Sequence, residues 1–465
     1  MTHFTELLER LEGYASMSCM EEGETLHTYA ELLQEYERWK ARFDQFQVRA
    51  GAVIGLCADH SMPATAVLLA LFARHAVAAL VPRDRDAVRY LRAAFAEGFL
   101  DLDVDGTYSW QTFDGPASHP LLEDLRASKD GGLVLFTSGS TGHPKAALHS
   151  TERILRKFSK RCRRFRTLAF LLFDHVAGFD TLFYALSGGS TLILTRYRDP
   201  KTILTIIASH RVEVLPTSPS FLRMLCIAKD VGQQDLSSLR IITYGSEPMD
   251  ANTLARLNLC FPHVQITQKY GSTEMGSPRS ISRGSDSLWI KIDSQDVEAK
   301  VVNGVLWLRS TSAILGYLNA PQPLNHDGWY CTGDLVDVDG EWMRFRGRDA
   351  DIINVGGEKV APTEVEESIL ELDFVRDVVV AGEPHALLGQ IVAARVALAT
   401  QLDPKEAARR IRLHCRDRLA AYKVPVRIDC TAEPFANDRQ KMQRHTYGSN
   451  IPDEHDAAGH KAGDG

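Results

Sequence analysis

Two stretches of the chain hold residue types suited to work on a phosphorylated ligand. In the first, the apolar run Leu133 to Phe136 empties into Thr137, Ser138, Gly139, Ser140, Thr141 and Gly142, with Pro144 and Lys145 just beyond. Two glycines let a backbone approach an anion closely. The hydroxyls and main-chain N–H groups can hydrogen-bond phosphate oxygens, and Lys145 adds a point charge. The glycines are only three apart and Lys145 follows a proline, so this is not the G-x-x-x-x-G-K-[ST] loop. On composition alone a flexible Ser/Gly connector suits the segment equally well. The second stretch is Gln268-Lys-Tyr270-Gly-Ser-Thr273-Glu274. A tyrosine can lie on a purine face, a threonine hydroxyl can reach an α-phosphate, and a carboxylate can hold Mg²⁺ against a triphosphate. As a bare string it also reads as a hairpin turn.

Such residues need elements to hold them. The run Leu133 to Phe136 reads as a buried strand, and Thr28, three residues before Glu31, opens a capped amphipathic helix. A strand over 52–57 and an apolar helix over 62–75 set up a strand-helix alternation that predicts a parallel α/β sheet. The alternation continues through a strand over 167–173, a helix-then-strand unit over 182–195, a strand-to-loop unit over 212–220 and a strand over 239–243. The last of these ends in Gly245-Ser246-Glu247, at the carboxyl end of a strand, where ligands of such sheets bind. Asn303-Gly304 predicts a hairpin turn, so short antiparallel strands, as in a small barrel, follow. Strands over 375–396, a helix over 404–419 and a strand over 426–430 make a small α+β unit.

The chain has 465 residues, suggesting two or three units at roughly 100–200 residues each, with 44% hydrophobic and 24% charged residues. A net charge of −7 leaves no basic footprint for nucleic acid. The exception, 153–166, reads as the solvated face of a helix after the phosphate loop, with a CoA phosphate or an acidic carrier protein as the other reading. Eight scattered cysteines form no C-x-x-C pair and read as small hydrophobes in a reducing cytoplasm. The N-terminus lacks the pattern of a secretory signal, and the apolar stretch 63–82 is broken by Arg74 and His75, so no membrane span is expected.

The string Thr-Ser-Gly-Ser-Thr-Gly-x-Pro-Lys closely resembles the phosphate loop of the adenylate-forming superfamily. That superfamily contains acyl-CoA synthetases, adenylation domains of peptide synthetases and firefly-type luciferases. Residues 270–274 resemble its Tyr-Gly-x-Thr-Glu motif, and Gly347-Arg348 through Pro362-Thr-Glu364-Val-Glu366 resembles its domain junction. By this resemblance Tyr270 stacks on adenine, the Gly245-Ser246-Glu247 turn walls the adenine slot, Thr273 binds the α-phosphate and Glu274 binds the metal. Asp334, which could otherwise cap a turn, holds the ribose with Arg348. His175 and Gly178 match an element at the mouth of the acyl pocket. Val176 takes the place where amino-acid adenylation domains carry an aspartate for the substrate ammonium, which argues against an α-amino acid. Lys441 matches the lysine that enters during adenylation, although Gln440 replaces the usual glycine before it. Ala350 stands at the hinge position.

The resemblance implies a large N-terminal domain (1–347) of doubly wound sheets plus a small β-barrel, a mobile α+β C-terminal domain (348–446) and a disordered tail (447–465). It implies ATP and Mg²⁺ as cofactors, a small carboxylic acid as substrate and CoA as acceptor. A carrier protein, an amine or another nucleophile are alternative acceptors. A decayed ATP-binding interaction protein is the alternative of a different class, and a homodimer is compatible with all of these.

Overall fold

The computed structural model describes residues 2–83, 86–113, 118–138, 143–228, 232–293 and 295–431. Gly139, Ser140, Thr141, Gly142, Lys441 and the tail lie outside them. The chain divides into two units, Met1–Phe345 and Arg346–Gly465.

The first unit holds two seven-stranded sheets. In one, Gln265–Gln268, Ile241–Tyr244, Val214–Thr217, Arg166–Ala169, Thr191–Leu194 and Ser18–Glu22 run parallel in that order, and Thr25–Thr28 adds an antiparallel edge. In the other, Val53–Cys57 is buried at every position, as a strand covered on both faces must be. Parallel Val77–Leu80 and Gly98–Leu102 flank it, and Gly132–Ser138 pairs beyond Val77–Leu80. The apolar helix Met62–Ala73, buried almost all round, packs in a core whose members come from both sheets, including Leu68, Leu133, Phe183 and Leu192. A six-stranded antiparallel sheet follows, with its Asn303-Gly304 turn at φ 52° and 78°.

Two sequence expectations need correction. The basic segment is not one helix: Thr151–Leu155 is helical, Arg156–Phe158 is a 3-10 turn, and irregular backbone leads to the strand Arg166–Ala169. Arg10 stops the helix by donating to the Phe158 carbonyl at 2.6 Å and to the Ser159 carbonyl, acceptors that a further turn would have used. The strand placed over 167–173 ends at Ala169. Beyond it the carbonyls of Phe170, Leu171 and Leu172 accept from Arg198 Nε, His60 Nε2 and the His175 N–H at 3.1, 2.9 and 3.1 Å, so no neighbouring strand can pair there.

In the second unit, Val375–His385 and Gly389–Leu398 form a long hairpin, with Arg427–Thr431 alongside. The helices Pro362–Leu370 and Pro404–Arg418 supply Val365, Ile369, Ala407 and Ile411 to its core. Glu364 receives Lys423 Nζ at 2.7 Å and buried Glu366 accepts the Val380 N–H at 2.9 Å, so two carboxylates of the junction motif anchor this unit.

The capping box is formed: Thr28 Oγ1 accepts the Glu31 N–H and Glu31 accepts the Thr28 N–H. Thr28→Ala is expected to cost about 1 kcal/mol. A lower denaturant midpoint at unchanged m-value would register that loss, and an unmoved midpoint would contradict it.

Candidate active site

Thr137 and Lys145 of the first motif stand on the two strands of a hairpin. Gly132–Ser138 pairs antiparallel with Pro144–Ser150, placing Thr137 opposite Lys145 and the Ser138 backbone opposite Pro144. Pro144 begins its strand, where a missing N–H is tolerated. Asn319 clamps this strand on both sides of Lys145: its Oδ1 accepts the Ala146 N–H and its Nδ2 donates to the Pro144 carbonyl, each at 2.8 Å. Alternation puts Lys145, Ala147 and His149 on one face. Lys145 Nζ lies 5.5 Å from the Tyr317 ring centroid, Ala147 packs on Tyr317 and Ile314, and His149 lies beside the Thr273 main chain.

Tyr317 connects the two motifs. Its hydroxyl donates to Glu274 Oε1 at 2.5 Å, and the Thr137 side chain lies close to it. Burial and the Glu274 charge push the Tyr317 phenol upward, so it stays a donor at neutral pH. Glu274 is only 7% exposed. A carboxylate so enclosed needs such a partner, because burying it unpaired costs several kcal/mol.

The second cluster stands at the carboxyl ends of Ile241–Tyr244 and Gln265–Gln268. Tyr270 donates to Asp334 Oδ2 at 2.7 Å and stacks on Phe345, with centroids 4.8 Å apart and 12° between planes. The Thr332 hydroxyl accepts the Asp334 N–H at 3.0 Å. A Cβ on Gly245 would sit 2.7 Å from the Lys269 carbonyl, so the adjoining strand ends approach as closely as only glycine permits. Ser246 takes φ 71°, an uncommon conformation for a residue with a side chain, and Glu247 accepts from the Ser220 hydroxyl at 2.6 Å.

His175 ends the approach to the helix Val176–Gly188 as its N-cap. A Cβ on Gly178 would fall 1.8 Å from the Leu172 carbonyl, which explains a glycine there. Arg348 belongs to the second unit, and Ala350 lies in the 3-10 turn Asp349–Asp351.

The structure thus gathers Thr137, Lys145 and Glu274 around Tyr317 and pairs Tyr270 with Asp334, the two groups being joined through residues 271–273. Among the described residues no cluster of three His, Cys, Asp or Glu side chains could cage a metal. A single buried carboxylate beside phosphate-binding groups suits Mg²⁺ carried by a nucleotide, which keeps its waters and uses one or two protein carboxylates.

Tyr317, Asn319, Phe345 and His149 escape the sequence analysis. Only His149 left a signal there: had 144–150 been read as a strand, its spacing from Lys145 would have put both on one face. The others reach the motifs from distant sequence. The open depression bordered by Glu12, Leu33 and Glu37 holds none of the motif residues.

These groups cluster at the strand ends of a two-sheet α/β unit. The AMP-binding enzyme family profile matches residues 81–318, and that of the AMP-binding enzyme C-terminal domain matches 364–435. The chain belongs to this family of adenylate-forming, ATP-dependent, AMP-forming ligases. Long-chain-fatty-acid–CoA ligase FadD13 of Mycobacterium tuberculosis is 27% identical over 365 residues, 72% of this chain and 71% of that protein. Two solved structures share the fold: the anthranilate CoA ligase AuaEII with anthranoyl-AMP (TM-score 0.81, 22% identity, 96% of each chain) and the amide bond synthetase McbA of Marinactinospora thermotolerans (0.78, 21%, 96% and 99%). No helix among the described residues is long and apolar enough to cross a membrane.

His149 is buried and His60 half-buried, and desolvation pushes both imidazoles down to about 4 from 6.5. The unfolded chain binds their protons between those values while the native state does not. Stability should therefore be full above pH 6.5 and fall toward pH 4, by about 3 kcal/mol per histidine. Denaturant midpoints from pH 7.5 to 4.5 should decline less in His149→Gln than in the native chain, whereas equal declines would contradict the assignment.

Proposed function

We propose that the protein activates a carboxylic acid as its acyl-adenylate and passes the acyl group to a thiol, CoA being the acceptor the relatives favour, with an aryl or medium-length acyl acid as substrate. The acid's carboxylate oxygen attacks the α-phosphorus of ATP, the bond to the bridging oxygen breaks, and pyrophosphate leaves with that electron pair. The thiolate then attacks the acyl carbon and AMP leaves.

In this reading Lys145 and residues 137–142 hold the β- and γ-phosphates, and Thr273 holds the α-phosphate. Tyr270 and the 245–247 turn bind adenine, Asp334 and Arg348 bind the ribose, and His175 stands by the acid. Glu274 would hold Mg²⁺, which offsets the charge developing on the phosphates. Lys441 is assigned to the bridging oxygens of the new anhydride. What supports the reading most is the Tyr317 to Glu274 hydrogen bond, which ties the phosphate hairpin to the 270–274 motif.

A panel of carboxylic acids assayed with and without CoA tests it. AMP and pyrophosphate should form in equal amounts, with thioester appearing only when CoA is present. Release of ADP and phosphate would contradict it, and product formed with an amine but not CoA would move the acceptor to the amine. Tyr317→Phe, which frees the Glu274 carboxylate, should lower kcat about 10- to 100-fold in a folded protein.

A further inference from the structure

The strand Val297–Val302, Val-Glu-Ala-Lys-Val-Val, ends the six-stranded antiparallel sheet. It pairs with Val305–Ser310 on one side, and no strand of the described residues pairs with its other side. The two-residue Asn303-Gly304 turn makes Val302 and Val305 a hydrogen-bonded pair, and such pairs alternate along an antiparallel ladder. The main-chain groups of residues 298, 300 and 302 therefore serve the hairpin. Those of Val297, Ala299 and Val301 face outward.

Side chains alternate in the same way. Ala299 and Val301 stand opposite Leu308 and Leu306, which are fully buried, so they lie on the apolar face of the sheet. Both are nevertheless exposed, Val301 by 36%. Glu298 and Lys300 stand opposite Arg309 and Trp307 on the other face. Arg309 donates to the Glu298 carboxylate at 2.6 and 3.0 Å, and Lys300 Nζ lies 4.0 Å from the Trp329 ring centroid, so both charges are laid along the sheet. Edge strands are commonly blunted by proline, a bulge or a charge turned toward the core face. This one has no proline, its register with Val305–Ser310 does not shift, and its core-face residues are apolar.

A second copy of the strand, running antiparallel, can bond only through the same outward-facing groups, which leaves few registers. With the pairing centred on Ala299, Val297 meets Val301 and Ala299 meets its own counterpart on the apolar face. On the other face Glu298 then falls opposite Lys300 at two places, as close pairs with Cα atoms about 4.5 Å apart. Moving the centre by one residue sets Glu298 against Glu298 or Lys300 against Lys300, and like charges directly opposite are destabilising.

We propose that Val297–Val302 is an interface for a second copy of this chain, joining two six-stranded sheets across a two-fold axis at Ala299, with two Glu298–Lys300 pairs fixing the register. The exposed apolar edge of each copy is covered by the other. Two six-residue strands bury less than an obligate dimer does, so the association is reversible and depends on concentration.

Sedimentation velocity of the full chain from about 1 to about 300 µM should show monomer giving way to dimer. Ala299→Pro removes an outward N–H and leaves the hairpin ladder whole, so it should hold the chain monomeric throughout, with native circular dichroism. Glu298→Lys and Lys300→Glu should each weaken self-association at least about tenfold. An equimolar mixture of those two variants should recover it, because opposite charges then face each other at both places. A native chain that stays monomeric at the highest concentration, a dimer that survives Ala299→Pro, or a mixture no better than its components would overturn the inference. So would an assembly larger than two, since a two-fold contact closes on itself.

Discussion

The hydrogen bond from Tyr317 to the buried Glu274 carboxylate joins parts of the chain that belong to different sheets. Glu274 follows the edge strand Gln265–Gln268 of one seven-stranded sheet, and Tyr317 pairs opposite Ala147 in the other. Two adjacent residues just before Tyr317 bridge the same parts: the Ile314 N–H donates to the Glu274 carbonyl at 2.9 Å and the Leu315 N–H to the Leu148 carbonyl at 2.7 Å. This side-chain tie adds to those backbone links in fixing the Lys145 strand relative to the 270–274 motif. A phenol bonded to a carboxylate in a dry setting is among the stronger neutral-to-charged hydrogen bonds, and its geometry is narrow.

Around that tie the polar groups are held from outside the motifs. Asn319 fixes the backbone on both sides of Lys145, Thr332 fixes Asp334, and Ser220 fixes Glu247. Phe345 covers one face of Tyr270. The supporting residues lock the orientations of the side chains assigned to the nucleotide, and preorganised groups of this kind lower the barrier to charge transfer without reorganising at the moment of reaction.

Local features were legible in the sequence wherever local physics decides them. The Thr28 and Glu31 capping box, the Asn303-Gly304 turn and the apolar strands each follow from a few neighbouring residues. The family was legible because the motif residues occur together in an unusual order, although each string alone also read as a turn. What stayed hidden depends on distant partners: Arg10 ending the basic helix, the hairpin return over 144–150, and Tyr317 reaching Glu274 across 43 positions. Glu364 and Glu366 belong to a recognisable motif, yet their visible work is packing and anchoring, so a motif match alone does not separate chemistry from architecture.

The central claim is that these strand-end groups place a carboxylate against the α-phosphorus of ATP. Transfer of oxygen tests it most directly: an acid that elicits pyrophosphate release is labelled with ¹⁸O in its carboxylate, and the AMP is examined by mass spectrometry. One labelled oxygen should appear in AMP for each acyl group transferred. Unlabelled AMP, or label found in inorganic phosphate, would contradict the account.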